Sequence, residues 1–340
     1  MNPKWQSFLT SRNLQSLSDR GPDITASKGC VIALRQFSCL AVTGEDAVSF
    51  LQGQSTCDVR ALHDNNAISG AICNAKGRVL STFWMFMRDN GYWLVLPESL
   101  IQSIEKRLRM YVLRSRVIIE NRAQSSAIFG LCCERLAERL ACAQADSHGQ
   151  GYSVVITRED SQIIQVAPNQ WLYMGTPQSA AQQWTDFVNL DGFAETNEEE
   201  WNQLSIRNGI PTLGPETTEV FVPQMINLDA LGGISFEKGC YTGQEIVARM
   251  HYLGKLKRRM VLAATRSTQL PAPGEPVYAS ENEQSIGQIV NAAFVNEPEI
   301  LLLAVIQTEW IESESLHLFN PDASTLKILE LPYVILQPAA

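Results

Sequence analysis

The stretch Phe236-Glu237-Lys238-Gly239-Cys240-Tyr241-Thr242-Gly243-Gln244-Glu245, continued by Ile246-Val247-Ala248-Arg249-Met250, holds the residue types best suited to chemistry. Ile246, Val247 and Met250 recur on one face of a helix that Thr242 or Gly243 can cap, and Gln244 and Glu245 suit its first turn. Cys240 is therefore expected at or just before a helix N-terminus, where unpaired N–H groups favour an anion, and Lys238 two residues away adds positive charge. Both features favour a reactive thiolate, which makes Cys240 the candidate nucleophile and Lys238 its candidate helper. The competing reading is that Cys240 packs as a small apolar residue, as free cysteines commonly do.

The other seven cysteines, at 30, 39, 57, 73, 132, 133 and 142, lie in apolar surroundings or on an amphipathic helix, and core packing explains them. There is no C-x-x-C, and the four histidines are scattered, so neither a zinc site nor an iron–sulfur cluster is expected. The G-x-G-x-x-G, Walker and G-x-S-x-G patterns are also missing, which removes the usual dinucleotide, nucleotide and hydrolase readings. Thr196-Asn197-Glu198-Glu199-Glu200-Trp201 reads as a capped helix start whose acids complement the dipole, with Gly209 as the residue that ends the helix. Trp201 is either a helix anchor facing the core or a flat surface on which an aromatic ligand stacks. The basic run 255–259 reads as a solvated linker, and His251 as a solvated helix-end residue.

Two short strands within Gly29–Thr43 and a helix over 44–52 are expected to open the positioning scaffold. Strands follow over 66–74, 78–87 and 92–97, with Ala75-Lys76-Gly77 as a turn, then a helix from Pro97 through Met110 and a strand over 117–120. A second unit of the same kind repeats the pattern from about 127, with a helix at 133–143, strands at 152–158, 162–167 and 171–175, and a helix at 179–189. Beyond 255 only short strand-like runs remain, at 260–264, 276–279, 285–294, 300–307 and 326–331, which predict a small barrel. The fold class is α+β, in two ferredoxin-like lobes (about 1–125 and 126–195, with 196–254 returning to the first) and a C-terminal β-barrel over 255–340.

The 340 residues favour two or three domains over one. A formal charge of -9 argues against a protein built mainly to hold nucleic acid or an anionic membrane, since phosphate contacts need clustered Lys and Arg. Cysteine spacing, the lack of an apolar leader and the absence of a run of membrane-span length point to a cytoplasmic, untethered chain.

Lys238-Gly239-Cys240-Tyr241-Thr242-Gly243-Gln244-Glu245 resembles the signature of the YgfZ family, folate-binding relatives of the glycine-cleavage T-protein (aminomethyltransferase). The likeness extends along nearly the whole chain, through Phe50-Leu51-Gln52-Gly53-Gln54, Asn74-Ala75-Lys76-Gly77, Pro223-Gln224, Asn227-Leu228, Ala230 to Phe236 and Leu331-Pro332-Tyr333. It implies a T-protein-like, three-lobed arrangement around a central cavity holding tetrahydrofolate. By that resemblance Lys238, Cys240 and Tyr241 face the cavity, Gln244, Glu245 and Arg249 shape the helix beneath it, and Trp201 and Phe37 contact the folate, Phe37 standing where the family has a second tryptophan. Arg207-Asn208-Gly209 stands where the family usually has Glu-Ala-Gly. Ser81-Thr82 stands where the transferase relatives carry a catalytic aspartate pair, so aminomethyl transfer lacks its main catalytic group. The resemblance implies instead an accessory role for iron–sulfur enzymes, including the one that methylthiolates tRNA, with a reduced folate as cofactor and those enzymes or cluster-assembly proteins as partners. A folate-dependent one-carbon transferase or demethylase and a direct tRNA-binding module are the alternatives; strong direct nucleic-acid binding is not expected.

Overall fold

The computed structural model describes residues 1–12, 14, 29–134, 136, 140, 155–158, 160–189, 193–252, 254, 256–280, 282–313, 315–318 and 325–335. The helix expected over 133–143 and Cys142 fall largely or wholly outside them. The chain forms two compact units: Met1–Leu51, Val59–Ser69 and Phe83–Trp201 in the first, Gln52–Asp58, Gly70–Thr82 and Asn202–Ala340 in the second. Among the described residues no helix is long and apolar enough to cross a membrane.

The first unit contains a six-stranded sheet of β1 (Gly29–Ala33), β7 (Ala127–Cys132), β8 (Val155–Arg158), β9 (Ser161–Ala167), β10 (Gln170–Gly175) and β11 (Phe193–Thr196), in the order β11-β1-β7-β10-β9-β8. Every neighbouring pair is antiparallel except β1 with β11. β1 thus belongs to the sheet made mostly by residues 127–196 and not, as expected, to a lobe ending near 125. One face of the sheet is covered by α1 (Pro3–Ser11) and α4 (Pro177–Val188), whose Trp5, Leu9, Ala180, Trp184 and Phe187 pack on Val31, Phe129, Leu131 and Tyr173. α1 was not anticipated, although Asn2 carries its signal: Asn2 Oδ1 accepts from the N–H groups of Lys4 and Trp5, and Pro3 occupies the first turn.

A five-stranded sheet runs β3-β4-β5-β2-β6, from β2 (Phe37–Thr43), β3 (Ala67–Cys73), β4 (Val79–Arg88), β5 (Gly91–Pro97) and β6 (Ile118–Asn121). Asp89 and Asn90 both have positive φ between the paired Arg88 and Gly91, a two-residue turn whose twist suits a hairpin. α3 (Ile101–Val112) buries Ile101, Ile104 and Leu108 at helical spacing. α2 (Ala47–Gln54) begins three residues later than the sequence pattern suggests.

In the second unit β12 (Arg258–Arg266), β13 (Pro276–Ala279), β14 (Asn282–Asn296), β15 (Glu299–Gln307), β16 (Leu316–His317) and β17 (Lys327–Leu329) form a half-barrel, ordered β16-β13-β14-β15-β12-β17 and antiparallel throughout. A bridge from His317 to Thr325 ties its two ends. β15 reads as one apolar run because both faces are buried: Leu302, Ala304 and Ile306 enter one core, Leu301, Leu303 and Val305 another. That second core also takes Ile206 from α5 (Glu198–Arg207), Phe221, Ile226 and, from α6 (Gln244–Tyr252), Val247. α5 ends as predicted: Gly209 has φ +64°, its N–H donates to Ile206 O and that of Ile210 to Ser205 O. Arg259 corrects the solvated-linker reading, because it is buried and grips both carboxylate oxygens of Asp229 at 2.7 and 2.9 Å.

Candidate functional site

Lys238 is buried, and its ammonium donates to three backbone carbonyls, Gln52 O and Ser55 O at 2.7 Å and Cys57 O at 2.8 Å. An ammonium has three donors, so this set uses all of them. Gln52 lies in the last turn of α2, whose carbonyls lack partners within the helix and favour a cation. The same Nζ sits 5.0 Å from the centroid of the Tyr241 ring. Thr56 reinforces the junction: its hydroxyl donates to Gly233 O at 2.6 Å and accepts from the Ala71 N–H, while its carbonyl accepts from Ser235 N–H. Nothing in residue spacing announces these carbonyl partners.

With residues 238 and 241 turned inward, Gly239 and Cys240 are exposed. Cys240 is the one exposed cysteine among the seven described; the other six are buried. Burial pushes the Cys39 and Cys57 thiols up to about 11. After Cys240 the chain is fixed again. The Thr242 N–H donates to Gly53 O, and Gly243 has φ +85° with any Cβ only 2.4 Å from Asn74 O, so glycine is required there. Gly77, at φ +69°, closes the predicted turn under Ile246 of α6.

Two expectations for Cys240 need correction. α6 starts at Gln244, four residues on, so Cys240 lies outside its first turn. Lys238 spends its three donors on carbonyls, which makes it the loop's anchor and leaves a catalytic part for it without support. Glu245 and Arg249 are exposed and Gln244 half-buried. His251 is not merely solvated: it stacks on Phe236 at 3.7 Å between ring centroids. Tyr241 is buried, its hydroxyl has no partner among the described residues, and burial raises its phenol above the usual value.

Phe37 and Trp201 do come together, in the first unit, with ring centroids 6.2 Å apart. Trp84, which the sequence did not single out, completes the cluster 6.4 Å from Trp201. Trp201 is 0% exposed, and a Cβ at Gly130 would stand 2.6 Å from its ring. The helix-anchor reading of Trp201 thus describes its packing, and the expectation that the two rings offer free stacking faces is corrected. The cavity beside Phe37 and Ser38 within this unit measures ≈ 60 Å³, against roughly 300–1,000 Å³ for an ordinary ligand pocket. Arg207 is exposed at a groove of ≈ 610 Å³ with Arg266 and Lys327. The Ser81 hydroxyl donates to Thr82 O and the Thr82 hydroxyl to Pro211 O. Among the described residues no three His, Cys, Asp or Glu side chains are placed to hold a metal ion.

No family model matches the chain. It is 32% identical over 311 residues to the tRNA-modifying protein YgfZ of Photobacterium profundum, an alignment spanning 90% of this chain and 92% of that protein. Its backbone is similar to the crystal structure of the glycine cleavage system aminomethyltransferase T from Bartonella henselae, with a TM-score of 0.71 and 13% identity over 92% of this chain and 88% of that one. The second likeness establishes a T-protein-like fold and nothing about activity.

Proposed function

Because the chain belongs to the YgfZ family, we propose that it is an accessory protein for iron–sulfur enzymes that modify tRNA, with Cys240 as its working group and a reduced folate as its cofactor. The observation that carries this reading is the display of Cys240: six described cysteines are buried, and this one stands out on a loop whose two flanks are pinned. Lys238 holds the near flank, and Thr242 with Gly243 holds the far one. A thiol so presented can bond sulfur, iron or carbon on a partner without rearrangement of the core.

The residues fit a folate in one respect and not in another. Tyr241 Oη and Gln54 Oε1 are buried polar atoms in the second unit without partners among the described residues, and a ligand's polar edge satisfies such atoms. Tyr241 stays a neutral phenol that can donate or accept. The Phe37–Trp201 pair, with its faces covered, does not serve as a stacking platform. A bound reduced folate supplies a one-carbon carrier. A T-protein-type transferase is the weaker reading, since the hydroxyls of Ser81 and Thr82 are spent on carbonyls and give no carboxylate to manage a proton.

The test is complementation of a strain lacking this protein, read as methylthio-modified tRNA nucleoside by mass spectrometry. Cys240→Ala and Cys240→Ser are expected to melt like the wild type, because the side chain is exposed, and to lose restoration. Full restoration by a folded Cys240→Ala protein refutes the thiol role. Titration calorimetry with tetrahydrofolate tests the cofactor separately, and no heat with any reduced folate removes it.

A further inference from the structure

β1 and β7 run antiparallel with Cys30 directly opposite Cys132. Opposed residues in such a pair project from one face, with Cα atoms about 4.5 or 5.5 Å apart, and a disulfide accepts roughly 4.4–6.8 Å. The two thiols are close enough to act on one another, the Cys132 thiol being held below and the Cys30 thiol above the usual value by their mutual contact. Gly29 allows close approach of the strands here, since a Cβ at that position would lie 2.8 Å from Cys132 O. Val31 and Leu131 face the core under α1 and α4, so the cysteine pair lies on the opposite face, where the Glu200 carboxylate of α5 acts on both thiols. Both are buried; Cys30 is 0% exposed, whereas Cys132 keeps 8% exposure and is the less enclosed of the two.

We propose that Cys30 and Cys132 form a modification site, a cross-strand dithiol that a low-molecular-weight disulfide of the glutathione class converts to an intramolecular disulfide. The neighbouring Cys30 thiol lowers the Cys132 pKa, against burial and the Glu200 charge, and so favours the thiolate on Cys132. That thiolate attacks one sulfur of R–S–S–R, giving Cys132–S–S–R and RS⁻, which takes up the proton Cys132 released. Cys30 then gives up its proton and attacks Cys132 Sγ, expelling the second RS⁻, which is protonated in turn. One S–S bond breaks and one forms; the cysteine pair loses two electrons, and R–S–S–R gains them as two R–SH. This chemistry is independent of Cys240.

The experiment is incubation of the native full-length protein with glutathione disulfide, blocking of remaining thiols with N-ethylmaleimide after denaturation, and non-reducing peptide mass spectrometry. Glutathione on exposed Cys240 serves as the internal control that the oxidant was active. The expected product is a linked pair of peptides containing Cys30 and Cys132, two hydrogens lighter than their sum and separated by dithiothreitol. Cys30→Ala is expected to stop at a mixed disulfide on Cys132, and Cys39→Ala to leave the link at its wild-type yield. N-ethylmaleimide on both Cys30 and Cys132 in the wild type, a bond from Cys132 to any other cysteine, or a link that forms only after unfolding overturns the proposal.

Discussion

Lys238→Met keeps the length and apolar stem of the lysine and deletes the ammonium, so it isolates the three contacts at 2.7, 2.7 and 2.8 Å. A hydrogen bond to a charged group contributes about 1.5–3 kcal/mol, and three give about 5–9 kcal/mol gross. The variant recovers the several kcal/mol that burying an ammonium costs, yet it leaves the carbonyls of Gln52, Ser55 and Cys57 short of a strong donor. The net loss is therefore expected near 3–5 kcal/mol. Lys238→Arg retains the charge but brings a planar fork to carbonyls that a tripod of donors serves, and should fall between. Cys240→Ala, two residues away and exposed, should stay within about 0.5 kcal/mol of the wild type. Urea unfolding followed by tryptophan fluorescence and by circular dichroism compares all four proteins. If Lys238→Met unfolds within about 1 kcal/mol of the wild type, water replaces the ammonium at no cost and the anchoring argument fails.

The aromatic cluster and the buried thiols give two more expectations. Trp201→Ala should cost about 3–5 kcal/mol as a fully buried large side chain, and Gly130→Ala about 1–3 kcal/mol because its Cβ meets the indole at 2.6 Å; the glycine penalty should largely vanish in the Trp201→Ala background, and additive melting shifts would show that the two do not touch. Cys39 and Cys57 hold their protons to about pH 11 when folded, against 9.0 without burial, so the unfolded chain binds fewer protons between pH 9 and 11 and stability must fall across that window, by up to about 3 kcal/mol per thiol. The contribution is intact below pH 9; urea midpoints at pH 8 and 10.5 should differ less in the Cys39→Ala/Cys57→Ala double variant, and an unchanged difference would count against buried thiols as the cause.

Elements governed by local pattern were legible in advance. β13 falls where alternation between turn residues put it, and Gly209 stops α5 because only glycine readily takes φ +64° there. What local pattern could not supply was partnership across long separations. β1 joins β7 and β11, residues 96–164 positions away in sequence, and a short apolar strand carries no mark of which sheet will take it. α1 was missed for a different reason: its apolar spacing is sparse, and it is held by Trp5 and Leu9 reaching a core that exists only once α4 is in place.

The site shows the same division more sharply. Spacing put Lys238 beside Cys240 and suggested a cation next to a thiol, while Tyr241 entered only through the resemblance to the YgfZ family. In the structure 238 and 241 turn in, 239 and 240 turn out, and the positive charge goes to main-chain carbonyls that no side-chain pattern encodes. A lysine committed to three carbonyls cannot also move protons in a reaction without releasing the loop that it holds. Lys238 therefore acts at this loop through position alone, which leaves the proposed chemistry to Cys240 and to what is brought to it.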